Sequence, residues 1–343
     1  MKLLLNTLYV TTQGAYLARE NETVVVRHEG EIKLRVPARG LWGIVCFGRV
    51  GCSPQLMGLC AQMGIAISFL SNHGRYWARV QGPVSGNVLL RREQYRRADH
   101  PETAAEVTRD LLVGKVANAR TVLQRAIRDH PQSPGAQEIT QAAERLRLVL
   151  KALAQPVSVD TARGYEGEAA RAYFSAFDHL ITAQKEEFHF SYRNRRPPLD
   201  RVNALLSFVY SLLAHDAAAA LECVGLDPAV GFLHRDRPGR PGLALDLMEE
   251  QRSFVADRLV LSLINRRQVR PEGFEVTESG AVQMEDATRK AILTAYQGRK
   301  QEEIEHPFLG EKIPVGLVSH VQAMLLARHL RGDLDAYPPF LWK

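Results

Sequence analysis

The sequence predicts an α+β fold, in which a small N-terminal β-sheet domain precedes a larger, all-α domain. The N-terminal part is dominated by β-branched segments and by segments in which apolar and polar residues alternate. The pattern changes to a helical period after Gly82 and Pro83. The length of 343 residues is also about twice that of a typical single domain. We therefore predict a β-domain over residues 1–82, a linker with the first helix over 83–100, and an α-domain over 101–343.

The β-domain contains several short runs that are typical of strands, each bounded by turn residues. The alternation is clearest at residues 32–36, which read Ile-Lys-Leu-Arg-Val. Ser53 and Pro54 are a capping residue and a first-turn proline, and they predict a short helix that ends at Met63. The strands are predicted at residues 3–10, 15–19, 23–28, 32–36, 43–50, 65–70 and 76–80.

Long amphipathic patterns fill the α-domain, and the basic stretch that precedes it also has a helical period. Pro131 and Pro134 separate the first two long patterns. The helices are predicted at residues 89–97, 104–128, 136–153, 166–184, 200–224, 243–263, 287–305 and 315–330.

The composition is that of a soluble globular protein, with 45% hydrophobic and 24% charged residues. The net charge is +6, and Arg, whose planar fork suits phosphate oxygens, far outnumbers Lys. This balance permits nucleic-acid binding without proving it. No apolar run reaches the ~18 residues of a membrane span, and the apolar start is too short for a signal peptide. We therefore expect a cytoplasmic protein with no membrane partner.

The chain has four cysteines, and none of them forms a CxxC pair. Three lie within apolar stretches, so buried free thiols are favoured over zinc or an iron–sulfur cluster. The four are Cys46, Cys52, Cys60 and Cys223.

Three separated segments of the α-domain carry residues suited to metal chemistry. Glu166 lies between glycines at the predicted start of a helix, and His234 follows Gly-Phe-Leu in a Pro/Gly-rich loop. Asp246 and Glu249 are three residues apart, which places both carboxylates on one helix face among apolar neighbours. Two such carboxylates repel unless a positive group lies between them, and either a divalent cation or an Arg would serve. A neutral imidazole with carboxylates suits Mg²⁺ or Mn²⁺.

Each of these residues also has an ordinary structural interpretation. A glutamate at a helix start is usually a partner of the helix dipole, and a single loop histidine is usually held in the packing. The Asp-x-x-Glu spacing is common on solvated helix faces. No single motif therefore identifies a metal site.

The combination resembles a known family. The order Glu-Gly…Ala…Tyr-Phe, Arg-Pro-Pro-x-Asp-x-x-Asn-Ala-x-Leu-Ser, Gly-Phe-x-His and Asp-x-x-Glu is similar to that of the CRISPR-associated integrase, the universal endonuclease subunit of spacer acquisition. The resemblance covers essentially the whole chain. The opening Leu-Leu-Asn-Thr-Leu-Tyr-Val and the length look most like the version in subtype C of type I systems.

The resemblance implies a catalytic centre in the α-domain. Glu166, His234 and Glu249 match the family's metal ligands, and Asp246 matches a further acidic residue that supports the catalytic site. Many members have Asp where this chain has Glu249. The implied cofactor is Mg²⁺ or Mn²⁺. The implied reaction joins the 3′-hydroxyl of new spacer DNA to the CRISPR repeat by transesterification, and water in place of that hydroxyl gives endonuclease activity.

DNA-binding residues are predicted beside the site motifs. Two arginine clusters flank them, and an asparagine in the second motif can bond a metal ligand or a phosphate. These are Arg193, Arg195 and Arg196, then Arg235, Arg237 and Arg240, with Asn203. Tyr165, Tyr173 and Tyr210 can position a DNA end, although core packing is the more common role of a tyrosine.

Partners follow from the resemblance alone. It implies double-stranded DNA as both spacer precursor and repeat, a homodimer formed through the β-domain, and a small ferredoxin-like partner that completes a heterohexamer. It also implies an iron–sulfur nuclease that trims DNA ends. Two alternatives stay open, a standalone metal-dependent nuclease on branched DNA and a non-enzymatic DNA-binding scaffold.

Overall fold

The computed structural model describes residues 6–72, 76–80, 82 and 88–342. Strands arranged in sheets form the N-terminal part, and a largely helical part follows, so the predicted α+β class is confirmed. The start of the strand predicted at 3–10 and the linker residues 83–87 lie outside the described residues.

Two four-stranded sheets make up the described N-terminal part. The first has the order β1-β5-β7-β8 and is parallel except for β8; the second has the order β4-β3-β2-β6. Helix α1 packs beside them and begins as predicted, because Ser53 accepts a hydrogen bond from the backbone N–H of Leu56. The strands are β1 (Asn6–Val10), β2 (Tyr16–Glu20), β3 (Thr23–His28), β4 (Glu31–Pro37), β5 (Leu41–Phe47), β6 (Gly51–Cys52), β7 (Ala66–Leu70) and β8 (Tyr76–Val80), with α1 over Pro54–Met63.

The alternating residues of these strands form a small core of their own, which includes Leu17, Val24 and Ile44. Cys46 and Cys60 lie in this core, as predicted, and burial raises the pKa of each thiol to about 12. Cys52 is half-buried and Cys223 is exposed, so the prediction of buried thiols holds for only two of the four.

The helical part is not all-α as predicted, because two short hairpins interrupt it. Their strands have only three or four residues, too few to show a period-two pattern. The helices are α2 (Val88–Asp99), α3 (Pro101–Asp129), α4 (Ala136–Leu153), α5 (Val159–Ser175), α6 (Arg201–Val224), α7 (Gly242–Gln251), α8 (Arg258–Asn265), α9 (Asp286–Gln301) and α10 (Val318–Leu330). The hairpins pair β9 (Phe274–Val276) with β10 (Val282–Met284), and β11 (Glu303–His306) with β12 (Glu311–Pro314).

Two helices differ from the prediction in ways that affect the site. Helix α5 begins at Val159, where Ser158 caps it, so Glu166 lies in its middle rather than at its start. The helix predicted over 243–263 is continuous, but its central turns, Arg252–Asp257, form a π-helix between α7 and α8. Such wide turns are rare and often occur at functional sites.

Helix α6 crosses the centre of the helical part. Asp200 caps it as predicted, accepting a 2.7 Å hydrogen bond from the backbone N–H of Asn203. By length and composition α6 could also cross a membrane, but 67% of that stretch is buried within the protein. Such burial is typical of a core helix.

Candidate active site

A cavity of about 840 Å³ opens between α3, α5, α6 and the α7–π-helix segment. Glu166, His234 and Glu249, which are far apart in the sequence, all line it. Asp246 is fully buried and lies behind the cavity wall. The predicted catalytic residues thus share one region, although Asp246 does not face the cavity.

Asp246 holds the loop that carries His234. One carboxylate oxygen accepts hydrogen bonds from the backbone N–H groups of Phe232 and Leu233, at 2.6 and 3.0 Å. The other accepts from the His234 backbone at 3.0 Å and from His234 Nδ1 at 2.6 Å. Because Nδ1 is held, Nε2 is the ring nitrogen available to a ligand, as in most metal-binding imidazoles.

Arg163 fixes the same loop from α5. Its Nε donates a 2.7 Å hydrogen bond to the carbonyl oxygen of Leu233, and its Nη1 bonds Asp160 at 2.7 Å. Since Arg163 is one helical turn from Glu166, this contact fixes the distance between the helix that carries Glu166 and the loop that carries His234.

Glu249 is buried at the end of α7 and remains ionised. Burial alone would raise its pKa, but the charges of Arg252, Lys115 and His234 outweigh it and hold the pKa at about 2. Arg252 Nη1 lies 2.6 Å from Glu249 Oε1, and Lys115 Nζ lies 2.9 Å from Glu249 Oε2. The same ammonium contacts Glu166 Oε1. The sequence predicted a cation or an Arg between Asp246 and Glu249, but Arg252 pairs with Glu249, whereas backbone N–H groups and the His234 ring bond Asp246.

Tyr210, which is hydrogen-bonded to Asp257, packs against Arg252. The Arg252 guanidinium lies 4.4 Å from the centre of the Tyr210 ring, and Tyr210 donates a 2.5 Å hydrogen bond to Asp257. Burial raises the pKa of Asp257 to about 6. Tyr173 and Tyr210 are both buried in the core and also line the cavity. Tyr165 is half-buried and packs against the core.

Carboxylate and imidazole donors are a set that Mg²⁺ and Mn²⁺ accept. Glu249 Oε2 is buried and makes no hydrogen bond, although the Lys115 ammonium is within ion-pair distance. In the part of the chain that the structure describes, no three His, Cys, Asp or Glu side chains are close enough together to surround an ion. Lys115 lies between the two carboxylates instead. The donor set fits a divalent ion in kind, and holding one requires Lys115 to move.

The two predicted arginine clusters meet at the mouth of this cavity. Burial and the positive charges of Arg237, Arg195 and Arg196 lower the pKa of Arg240, so both clusters act on one guanidinium. Arg196 is exposed, and it lies beyond the residues that line the cavity. The residues of the two clusters that line the cavity are Arg193, Arg195, Arg235, Arg237 and Arg240.

Asn203 has a different position from the one predicted. It is fully buried, and its Oδ1 accepts hydrogen bonds from Arg193 at 2.7 Å and from the Asn194 backbone at 3.1 Å. Its Nδ2 donates to Asp200 and to the carbonyl oxygen of Tyr192. We therefore revise the expectation of a phosphate contact, because the amide holds Arg193 rather than reaching the cavity.

Sequence reasoning missed Lys115 and Arg252. Arg252 follows Glu249 by three residues, a spacing that could have indicated the pair. Lys115 gave no signal, because it lies 51 residues before Glu166 on another helix.

Comparisons with known proteins agree on one family. The family model for the CRISPR-associated protein Cas1 matches residues 8–298. Over 343 residues the chain is 57% identical to the CRISPR-associated endonuclease Cas1 1 of Chlorobaculum tepidum, with 100% of both chains covered. It is 53% identical to the CRISPR-associated endonuclease Cas1 2 of Rhodospirillum rubrum, again with 100% of both covered.

Solved structures share the fold. A Cas1 protein from Thermotoga maritima has a TM-score of 0.81 at 24% identity, covering 95% of this chain and 97% of that one. A casposase bound to an integration product has a TM-score of 0.84 at 22% identity, covering 98% and 94%. A Cas6-RT-Cas1–Cas2 complex has a TM-score of 0.81 at 20% identity, covering 99% of this chain and 36% of that one.

Proposed function

This chain belongs to the Cas1 family of CRISPR-associated proteins, and we propose that it is a metal-dependent DNA endonuclease and integrase of CRISPR adaptation. Two relatives that this chain matches over their full length are named CRISPR-associated endonucleases. The observation that carries the proposal is the meeting of Glu166, His234 and Glu249 at one cavity whose mouth is lined by arginines. Acidic and imidazole donors beside a basic mouth suit a metal-assisted reaction on phosphodiesters.

Glu166, His234 and Glu249 would hold the ion, which we expect to be Mg²⁺ or Mn²⁺. When bound, such an ion lowers the cost of deprotonating the attacking hydroxyl and offsets the charge that builds on the phosphate. Asp246 keeps His234 Nε2 directed to a ligand. Arg252 fixes Oε1 of Glu249, so Oε2, which Lys115 contacts at 2.9 Å, is the oxygen that would meet the ion once Lys115 has moved. With a DNA 3′-hydroxyl as nucleophile, a new phosphodiester bond forms while the attacked one breaks, and the displaced strand end leaves as a hydroxyl, which gives joined DNA. With water as nucleophile the same bond breaks and the product is cleaved DNA.

The arginines at the cavity mouth hold the DNA backbone in this proposal. Arg195 and Arg237 are exposed and line the cavity, so both are free to contact phosphates. Arg193 is held by Asn203 and Ser207, which fixes its guanidinium in one orientation. Support for DNA as substrate also comes from the fold, since the casposase of this fold is bound to an integration product.

We further propose a small ferredoxin-like partner of the Cas2 kind, because a solved complex of this fold contains Cas2. A homodimer through the β-domain, a heterohexamer, an iron–sulfur nuclease and subtype C of type I remain predictions from the resemblance. So does the cytoplasmic location.

Strand transfer into a plasmid that carries a CRISPR repeat tests the proposal. We expect the purified protein, with its small partner, Mn²⁺ and a DNA fragment with 3′-hydroxyl ends, to yield joined products. Glu166→Gln and His234→Ala should abolish them, while circular dichroism and the unfolding temperature show that both variants fold. Full activity in either variant would contradict the assigned ligands.

The same assay separates the alternatives. Cleavage of branched DNA without joining, whether or not the partner is present, would indicate a standalone nuclease. DNA binding without cleavage or joining under any divalent metal would indicate a scaffold. A control that replaces the 3′-hydroxyl with hydrogen should block joining and leave hydrolysis unchanged.

A further inference from the structure

Lys115 lies between two carboxylates that the proposed function assigns to the metal. Its ammonium contacts Glu166 Oε1 and lies 2.9 Å from Glu249 Oε2. We propose that Lys115 is an internal counter-ion, which holds these carboxylates together in the ion-free protein and moves to a DNA phosphate when a divalent ion is bound. Ion binding and DNA binding are then coupled through one side chain. This inference rests on the proposed function and concerns how the same site is regulated.

The need for a cation follows from burial. The side chain of Glu249 is 5% exposed, that of Lys115 is 14% exposed and that of Glu166 is 31% exposed. Two carboxylates sharing an ammonium in such a place would repel each other strongly if it were removed, since little water reaches Glu249. Lys115 therefore stabilises the ion-free fold of the site.

A charge count indicates why Lys115 has to leave. Glu166 and Glu249 carry two negative charges, and Lys115 and Arg252 carry two positive charges, so the ion-free group is balanced. A divalent ion beside an unmoved Lys115 would leave an excess of two positive charges in a partly buried space. If Lys115 moves to a phosphate, its charge is neutralised there. Glu166, Glu249, Arg252 and the ion then carry an excess of one positive charge, which DNA oxygens can offset.

Of the two cations that contact Glu249, Lys115 is the one able to move, and Arg252 is held in place. The Arg252 guanidinium packs on Tyr210 and bonds Glu249 Oε1, both of which restrict its motion. Lys115 has a flexible four-carbon stem, and it lies in the wall of the cavity that the arginines surround. An ammonium binds a phosphate well as a point charge, and it needs no fixed orientation to do so.

Coupled binding has a thermodynamic signature. If DNA takes up Lys115, DNA raises the affinity for the ion, and the ion raises the affinity for DNA by the same factor. Removing the ammonium abolishes this contribution. It also frees the carboxylates, so the ion should bind more tightly in the absence of DNA.

The test measures Mn²⁺ affinity by calorimetry and by the loss of the free-ion EPR signal. The proteins are the wild type, Lys115→Met, Lys115→Arg and Lys151→Met, each with and without a DNA duplex that has 3′-dideoxy ends. Lys115→Met should bind Mn²⁺ at least about five-fold more tightly than the wild type without DNA, and DNA should increase its affinity less. Lys151→Met, which removes an exposed lysine on α4, should resemble the wild type. Lys115→Arg, which keeps the charge, should bind Mn²⁺ less tightly than Lys115→Met in the absence of DNA.

Unfolding temperatures give an independent readout. In EDTA, Lys115→Met should unfold at a lower temperature than the wild type, and saturating Mn²⁺ should remove most of the difference. Lys115→Gln replaces Lys115→Met if the latter does not fold.

Mn²⁺ binding that is equal to or weaker than that of the wild type, in folded Lys115→Met or in Lys115→Gln where it replaces Lys115→Met, would overturn the inference while leaving the proposed function intact. Mn²⁺ binding to neither the wild type nor the variant would instead overturn the proposed function, and the inference with it.

Discussion

The carboxylate of Asp246 bonds four N–H groups, three from the backbone of the His234 loop and one from the ring itself. Sequence spacing placed Asp246 and Glu249 on one helix face, which called for a positive group between them, either a divalent cation or an Arg. The structure separates their roles, because Asp246 is directed behind the cavity wall and Glu249 is directed into it. Motif order grouped Glu166, His234 and Glu249, which line one cavity in the structure. The contact of Lys115 with two of them depends on packing between distant helices, which motif order does not show.

Asp246→Asn should weaken both the loop and the proposed metal centre. An amide has only one acceptor oxygen, so its NH₂ group must face backbone N–H donors, which costs about 1–3 kcal/mol of stability. Loss of the ring's partner should lower Mn²⁺ affinity about 10- to 100-fold. Chemical denaturation and calorimetry measure the two effects.

Asp236→Asn is the matched control, because Asp236 is exposed in the same loop. It should change neither quantity. Wild-type Mn²⁺ affinity in Asp246→Asn would remove Asp246 from the support of the centre.

At the scale of elements, close packing of α3 on α7 determines where Lys115 meets Glu249. Gly114 permits this approach, since a Cβ atom there would lie 2.9 Å from Glu250 Cγ and 3.1 Å from Pro339 Cβ. Sequence patterns predicted nearly every helix, because amphipathic periods are long. They misplaced the start of α5, although Ser158 was available as a cap, and they had no means to show the π-helix.

Gly114→Ala and Gly164→Ala should have opposite effects on stability. The added methyl at Gly114 must displace buried neighbours, which should cost about 1–3 kcal/mol. Gly164 has open space around it and lies within α5, so alanine there should stabilise the protein by roughly 0.5–1 kcal/mol. Urea denaturation of both variants checks the signs, and a stabilised Gly114→Ala would contradict the packing described.

At the scale of the whole molecule, the first sheet and the C-terminal segment around Phe340 are both hydrogen-bonded to the helical part. Lys300 Nζ pairs with Asp216 at 2.8 Å and reaches Thr7 of β1 at 3.4 Å. At the other end, the backbone N–H of Phe340 donates to Glu250 Oε2 at 2.9 Å. The sequence predicted a β-domain before a helical domain, but these junctions join residues more than 80 positions apart and have no local pattern.

Glu250 should make global stability depend on pH. Burial raises its pKa from the ordinary 4.5 to about 8, despite hydrogen bonds from Phe340, Tyr337 and Gln322. Between pH 4.5 and about pH 8, Glu250 is protonated in the folded state but ionised in the unfolded state. The free energy of unfolding that Glu250 contributes therefore falls as pH rises, by at most about 1.4 kcal/mol per pH unit. Glu250→Gln cannot titrate and should lack this loss.

Unfolding free energies of the wild type, Glu250→Gln and the exposed-site control Glu138→Gln between pH 5 and pH 8 check this. The wild type should lose more stability than Glu250→Gln over that range, and Glu138→Gln should follow the wild type. Parallel curves for the wild type and Glu250→Gln would contradict a protonated Glu250 in the fold.

The most direct test of the proposed metal centre is pulsed EPR of the protein loaded with one equivalent of Mn²⁺. The expected spectrum shows modulation from an imidazole nitrogen, which disappears in His234→Ala while circular dichroism confirms that the variant folds. Glu166→Gln should bind the ion more weakly. Tightly bound Mn²⁺ without nitrogen coupling, or coupling that persists in His234→Ala, would contradict the assignment of Glu166, His234 and Glu249 as the metal site.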